Sequence, residues 1–341
     1  MKDRFLRACW REPVDRTPVW FMRQAGRYMP EYQEYRMKYD VVTMCKTPKL
    51  SAEVSLLPLR LGVDAAILFA DIMLPLEGMG ISYVIKEGVG PVISNSVRSR
   101  ADADSLLEIE PERDVPYVLE ATRLLKKRLH GKVPLIGFSG APFTLASYMV
   151  EGRPSKTFVE TKKLMYREPT TWRILMEKLS SMVASYLEAQ IEAGADAVQL
   201  FDSWVGCLSP QDYEEFVLPY TRSIFDALAP LGVPRIHFGT GTSTLLELMK
   251  KAGGDVFGVD WRIPLDEAWS RLGEDVAIQG NLEPAVLLGD REIVEKRAED
   301  VLRRASGRPG HIFNLGHGVL PDTPPERVAV LVDFVHSYEV S

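Results

Sequence analysis

The feature that most constrains this chain is a recurrence. Eight short apolar, β-rich runs each end in a small or polar residue: TPVWFM (17–22), AAILFAD (65–71), PLIGFSG (134–140), DAVQLFDS (196–203), PRIHFGTG (234–241), DVFGVDW (255–261), VAIQGN (276–281) and HIFNLGHG (311–318). Between them lie helical stretches such as TTWRILMEKLSSMVASYLEAQIEAG, with apolar residues at 3–4 spacing and Gly194 as the stop. TSTLLELMKKAGG is another, with Thr244 and Glu247 spaced as a capping box. Near-continuous apolar runs mark strands buried on both faces, and strand–helix alternation marks a parallel sheet. Eight such units predict a (β/α)8 TIM barrel, spanning residues 1–341 as a single domain. The usual barrel takes ~250 residues before insertions, and much of the extra length falls between the second and third runs. There ISYVIKEGVGPVIS alternates around Gly88 to Gly90 and Pro91, which reads as a β-hairpin insertion after strand 2. A doubly wound sheet would carry a Gly-rich turn after its first strand. Here Arg23 and Arg27 stand in that place.

Composition bounds the partners. A chain that is 46% hydrophobic and 26% charged is a soluble globular protein with ample core. A formal net charge of −6 argues against nucleic acid or an anionic membrane as partner, so an anionic ligand must meet a local basic patch. Cys9, Cys45 and Cys207 are far apart and odd in number, which fits neither a disulfide framework nor a C-x-x-C metal spacing. The start MKDRFLRACWREPVDR is too charged for a secretory leader, and no run of ~18 apolar residues occurs. The expectation is a cytoplasmic protein.

In barrels the functional groups sit at the C-terminal strand ends. Read in order, those ends carry Arg23 and Arg27, Asp71, Ser139 and Gly140 with Tyr148 beyond, Asp202 and Ser203, Gly239 to Gly241, Asp260, Asn281, and Gly316-His317-Gly318. Arg23 and Arg27, one helical turn apart with Gln24 beside them and Gly26 and Pro30 shaping the loop, suit bidentate capture of carboxylate or phosphate. Two guanidiniums so close imply a ligand with several anionic groups. Asp71 ends an apolar strand, where a carboxylate is costly unless it is paired with an arginine or aimed at a ligand. The glycines flanking His317 allow close backbone approach to a ligand, whereas His130 and His336 read as surface helix-end residues. Tyr148 and Ser203 offer hydroxyls, and GTGTST (239–244) could cradle an anion at a helix start, although it carries no dinucleotide or P-loop signature.

Taken together, PVWFMRQAGRYMPEY, ILFADIMLPLEGMG, GFSGAPFTLASYMVEG, QLFDSWVG, HFGTG, QGNLEP and NLGHGVLPDTP resemble the successive signatures of the uroporphyrinogen decarboxylase family, in order and over residues 17 to 323. The resemblance implies a (β/α)8 barrel, a homodimer, and cofactor-free, metal-free decarboxylation of uroporphyrinogen III to coproporphyrinogen III. It implies that Arg23, Gln24 and Arg27 face substrate carboxylates, and that Asp71 accepts hydrogen bonds from the four pyrrole N–H groups. Tyr148, Ser203 and His317 would contact carboxylates, with Ile67, Phe69 and Phe138 as apolar walls. Asp71, Arg23 and Tyr148 are then the candidate catalytic groups, Arg23 lying next to the reacting acetate, directly or through water. Two positions depart from the family pattern: Trp204 stands where several members carry His, and Ala70 where Ser is common.

Two rivals remain. Zinc-dependent methyltransferases of the same superfamily, acting on thiols and corrinoids, need a His-x-Cys pair at a strand end. The comparable stretch here is His237-Phe238-Gly239, without the cysteine. A non-catalytic tetrapyrrole-binding protein would keep the arginines, and loss of Asp71 or Tyr148 would have favoured it. Both are present.

Overall fold

The computed structural model describes residues 3–86 and 88–339. Seven of the apolar runs form a curled parallel sheet: β1 (Ala66–Ile67), β4 (Leu135–Gly140), β5 (Ala197–Asp202), β6 (Arg235–Gly239), β7 (Val256–Gly258), β8 (Ala277–Gln279) and β9 (His311–Ile312), hydrogen-bonded in that order. The two intervening strands, β2 (Tyr83–Lys86) and β3 (Gly90–Ile93), pair antiparallel as the expected hairpin.

The first run closes the ring with little strand pairing of its own. Val19 bridges Phe313 in parallel, with Phe313 N–H donating to Pro18 O at 2.8 Å. On its other edge Asp64 N–H donates to Val19 O at 2.7 Å, and Val19 N–H donates to the Asp64 carboxylate at 2.8 Å. A side chain thus supplies a ladder bond that backbone would otherwise make. Asp64 is buried, and it also meets the Arg4 guanidinium and His336 Nε2, the latter at 2.7 Å. His336, expected on the surface, is therefore a buried partner whose side chain is only 9% exposed. It docks the helix Pro325–Ser337 against the barrel's N-terminal end.

Strand residues alternate between two apolar cores, as period-2 geometry requires. Trp20, Ile136, Ala197, Ile236, Phe238, Val256, Ala277 and Ile312 fill the barrel, together with Phe5 from the helix Arg4–Cys9. Their neighbours in sequence pack outward against the helices. The expected box at Thr244 and Glu247 does not form. The helix begins at Leu246 after Leu245, without a side-chain cap, because Arg271 draws the Glu247 carboxylate away with two bonds of 2.7 Å.

Candidate active site

The turn after Phe21 carries the arginines, and it is built to do so. Arg23 adopts φ 57°, a left-handed conformation that costs a side chain ~1–2 kcal/mol. Gln24 holds the turn in place. Its Oε1 accepts from Phe21 N–H at 3.1 Å, and its Nε2 donates to Ala65 O at 3.0 Å, across to the next stave. Fully buried and with both ends of its amide occupied, Gln24 shapes the turn from behind and does not reach a ligand, which corrects its reading as a substrate contact. A Cβ at Gly26 would lie 2.9 Å from Arg23 O, and one at Gly318 would lie 2.5 Å from Arg23 Cδ. The Gly-His-Gly segment therefore leaves room for Arg23. A Cβ at Gly316 would likewise collide with the Trp261 backbone, at 2.7 Å.

Neither Arg23 nor Arg27 has a hydrogen bond or ion pair from its guanidinium to any described residue. Both remain accessible from the open end of the barrel. Walls of protein around Arg23, with Arg27 nearby, lower its pKa, while Tyr148 and Asp71 oppose that shift. Asp71 lies across from it. One carboxylate oxygen accepts from Met73 N–H at 2.9 Å, and no ion pair forms with a described residue. Burial raises the Asp71 pKa, against the pull of that N–H and of Arg23. Tyr148 completes the group. Burial and the Asp71 charge push its phenol up to about 12, so it stays protonated, and the Arg23 charge opposes the shift.

An aromatic row lines one side: Phe138 on Phe201 (5.5 Å between centroids), Phe201 on Phe238 (5.7 Å) and Phe238 on His317 (6.3 Å). Burial and the neighbouring Arg23 lower the His317 pKa to about 4, leaving a neutral imidazole near pH 7. Ile67 packs with the barrel interior, whereas Phe69 leans on Tyr32 at 5.8 Å. Ser203 is half-buried and its carbonyl accepts the Thr240 hydroxyl. Its own hydroxyl bonds no described residue.

Other polar strand ends serve the scaffold. Asp260 accepts from Gly241 N–H at 2.6 Å, and a Cβ at Gly206 would lie 2.2 Å from Thr240 O. The Gly241 N–H of the GTGTST loop is thereby committed to Asp260. The Asn281 amide donates to Asp260 O and Ile263 O. Asp202 faces the helices, accepting from Thr144 Oγ1 at 2.8 Å, and burial lifts it to about 7. Sequence reasoning did not anticipate the packing of Trp204 against Tyr148, at 4.0 Å, and against Phe158, at 5.1 Å. Nothing in a linear pattern signals that pairing. Through Phe158, and through Lys162 Nζ donating to Cys207 O at 2.8 Å, the segment 155–169 joins the Ser203–Cys207 turn.

His237 lies outside the bowl. It packs between Phe225 and Phe257 on the helical side, with Nδ1 3.2 Å from Gly253 O. Among the described residues no group of three or more His, Cys, Asp or Glu side chains is placed to hold a metal ion.

Residues 1–338 match the family described as "Uroporphyrinogen decarboxylase (URO-D)". The chain belongs to that family. It is 59% identical over 337 residues to the uroporphyrinogen decarboxylase of Sorangium cellulosum, covering 99% of this chain and 97% of that protein. It is 56% identical to that of Carboxydothermus hydrogenoformans, covering 98% and 96%. Among solved structures, a methyltransferase from Methanosarcina mazei superposes with a TM-score of 0.79 at 20% identity, over 98% of this chain and 97% of the other. At that identity the likeness speaks for the TIM-barrel fold alone.

Proposed function

We propose that this protein is a uroporphyrinogen decarboxylase, a carboxy-lyase that removes carbon dioxide from the four acetates of uroporphyrinogen III to give coproporphyrinogen III in porphyrin biosynthesis. The observation that carries the reading is one cluster that brings together two arginines whose guanidiniums meet no described residue, a half-buried carboxylate and a half-buried phenol beside an aromatic wall. That arrangement suits an apolar macrocycle fringed by carboxylates, and family membership supplies the substrate.

In this reading Asp71 accepts the pyrrole N–H groups beneath the ring. A proton added to the ring carbon next to the acetate-bearing carbon makes the ring cationic. The bond from the acetate methylene to its carboxylate then breaks. Its electron pair neutralises the ring, leaving an exocyclic methylene and carbon dioxide. A second proton on that methylene, with loss of the first from the ring, gives the methyl group. The protonated pyrrole is its own electron sink, so the chemistry needs no cofactor. The negative Asp71 stabilises the cation as it forms. Arg23 stands next to the reacting acetate, its lowered pKa narrowing the gap to useful acid catalysis. Tyr148 donates from its neutral phenol. Arg27, Ser203 and His317 bind the remaining carboxylates, and Ile67, Phe69 and Phe138 are the apolar walls. The protein is read as one catalytic barrel domain that works as a cytoplasmic homodimer. No helix among the described residues is long and apolar enough to cross a membrane.

The test is an anaerobic assay with uroporphyrinogen III in EDTA, following stepwise loss of carboxyls by chromatography. Coproporphyrinogen is expected from the unmodified protein, and Asp71→Asn should cost about 10²–10³-fold in turnover, the scale of a lost electrostatic stabiliser. Binding without any loss of carboxyls would replace the reading with a tetrapyrrole-binding protein.

A further inference from the structure

We infer that Thr144 and Asp202, neither of which faces the bowl, are positioning residues that hold Tyr148 in register with Arg23 and Asp71. The inference rests on the decarboxylase reading for its kinetic consequence, though not for its geometry. Thr144 sits in the first turn of the helix Pro142–Glu151, one turn before Tyr148, and is 1% exposed. Its hydroxyl donates to Asp202 Oδ1 at 2.8 Å and accepts from Trp204 N–H at 3.4 Å. One oxygen therefore joins the helix that carries Tyr148 to the strand end that carries Ser203 and Trp204. The Trp204 indole packs back on the Tyr148 ring at 4.0 Å, with 37° between planes. The loop closes on itself: Tyr148, its helix, Thr144, Trp204 and Tyr148 again, with Asp202 fixing the hydroxyl at the centre.

The cost of this arrangement argues that it serves a purpose. Asp202 is completely buried, and its second oxygen, Oδ2, has no hydrogen-bond partner among the described residues. A buried polar atom without a hydrogen bond costs about 1–3 kcal/mol, and an apolar pair of the same shape would avoid it. What the pair provides is direction. A hydroxyl bonded on both sides fixes the helix about its axis, which apolar packing at that point would leave looser. Displacing a reacting or orienting group by ~1 Å can cost up to about a hundredfold in rate.

The experiment is a double-mutant cycle in the decarboxylation assay, paired with fluorine NMR. Protein labelled with 3-fluorotyrosine gives one resonance for Tyr148, assigned by its disappearance in Tyr148→Phe. Thr144→Val keeps shape and removes the hydroxyl, and Thr144→Ala serves if valine does not fold. Thr144→Ser keeps the hydroxyl. The expected results are a shifted or broadened Tyr148 signal in Thr144→Val, restored in Thr144→Ser, and a fall in kcat/KM of about tenfold, within the usual range for coupled neighbours. In a Tyr148→Phe background the same substitution should cost much less. Asp202→Asn, which keeps an acceptor and gives the orphaned position a donor, should retain most of the activity.

An unmoved Tyr148 resonance, or costs that add in full across the cycle, overturns the inference. If the unmodified protein proves inert toward uroporphyrinogen, the functional reading has failed instead. The fluorine spectra then still decide whether Thr144 positions Tyr148.

Discussion

Arg23 shows how much of a site can depend on its neighbours. Its left-handed backbone is held by Gln24, and the path of its side chain is left open by Gly318. Gly318 itself does not adopt a positive φ, so alanine is allowed there by the backbone, and the atoms its Cβ would meet first all belong to Arg23. Gly318→Ala should therefore displace the guanidinium and lower kcat/KM about ten- to a hundredfold, while Tm moves by only a few degrees. A large loss of Tm with normal kinetics in the folded fraction would contradict this account. The arginines and the Gly-His-Gly motif were legible in the sequence, because residue type and spacing declare them. The role of Gln24 was not, since an amide in a motif looks the same whether it faces the ligand or the turn. His317 permits a second test. With a folded pKa of about 4 against 6.5 for the ordinary group, the unfolded chain takes up this proton first as pH falls. His317 therefore costs stability progressively from about pH 6.5 down to about 4 and is silent above. Its ring resonances in ligand-free protein should titrate with a midpoint near 4, and a midpoint near 6.5 would mean that the imidazole is not enclosed as described.

At the scale of elements, the weakest stave is the most instructive. Seven runs announced themselves as strands because both faces are apolar, and they pair as expected. The first run gave the same signal but makes only a single bridge among the described residues, and the Asp64 carboxylate and Gln24 amide, besides scattered backbone bonds, help attach it. Such bonds connect residues more than forty positions apart and leave no periodic trace. The same holds for His336, whose partner lies 272 residues away. Burial raises the Asp64 pKa, but His336, Val19 N–H and Arg4 outweigh it and leave the group lowered overall. Its contribution is thus present above the unfolded value near 3.8 and is lost as pH falls through the lower folded value. Asp64→Asn strips the charge from a buried pair and should cost about 3–5 kcal/mol, read as a lowered denaturation midpoint. A loss under 1 kcal/mol would show that the barrel closes without this carboxylate.

At the scale of the whole molecule, the proposed reaction sets an acidic chain against a ligand fringed by carboxylates. The net charge of −6 opposes approach, so capture depends on charges acting at short range. Both arginines are exposed, but Arg23 stands in the field of Asp71 and Tyr148, whereas the Arg27 guanidinium meets no described residue. The two should fail differently when removed. A group that holds a carboxylate equally in ground and transition states changes KM alone, and one felt only as charge develops changes kcat. Arg27→Gln is therefore expected to raise KM about tenfold with kcat nearly unchanged, the loss of one exposed charge-assisted contact. Arg23→Gln should lower kcat. Salt separates direct contact from general attraction, because the screening length falls from about 10 Å at 0.1 M to about 3 Å at 1 M. If Arg27 acts as an exposed charge, the difference in KM between the unmodified protein and Arg27→Gln should shrink steeply over that range. A difference that survives 1 M salt would mean that Arg27 binds its carboxylate in a desolvated, bidentate contact. A fall in kcat at constant KM would move Arg27 from the rim to the reacting acetate.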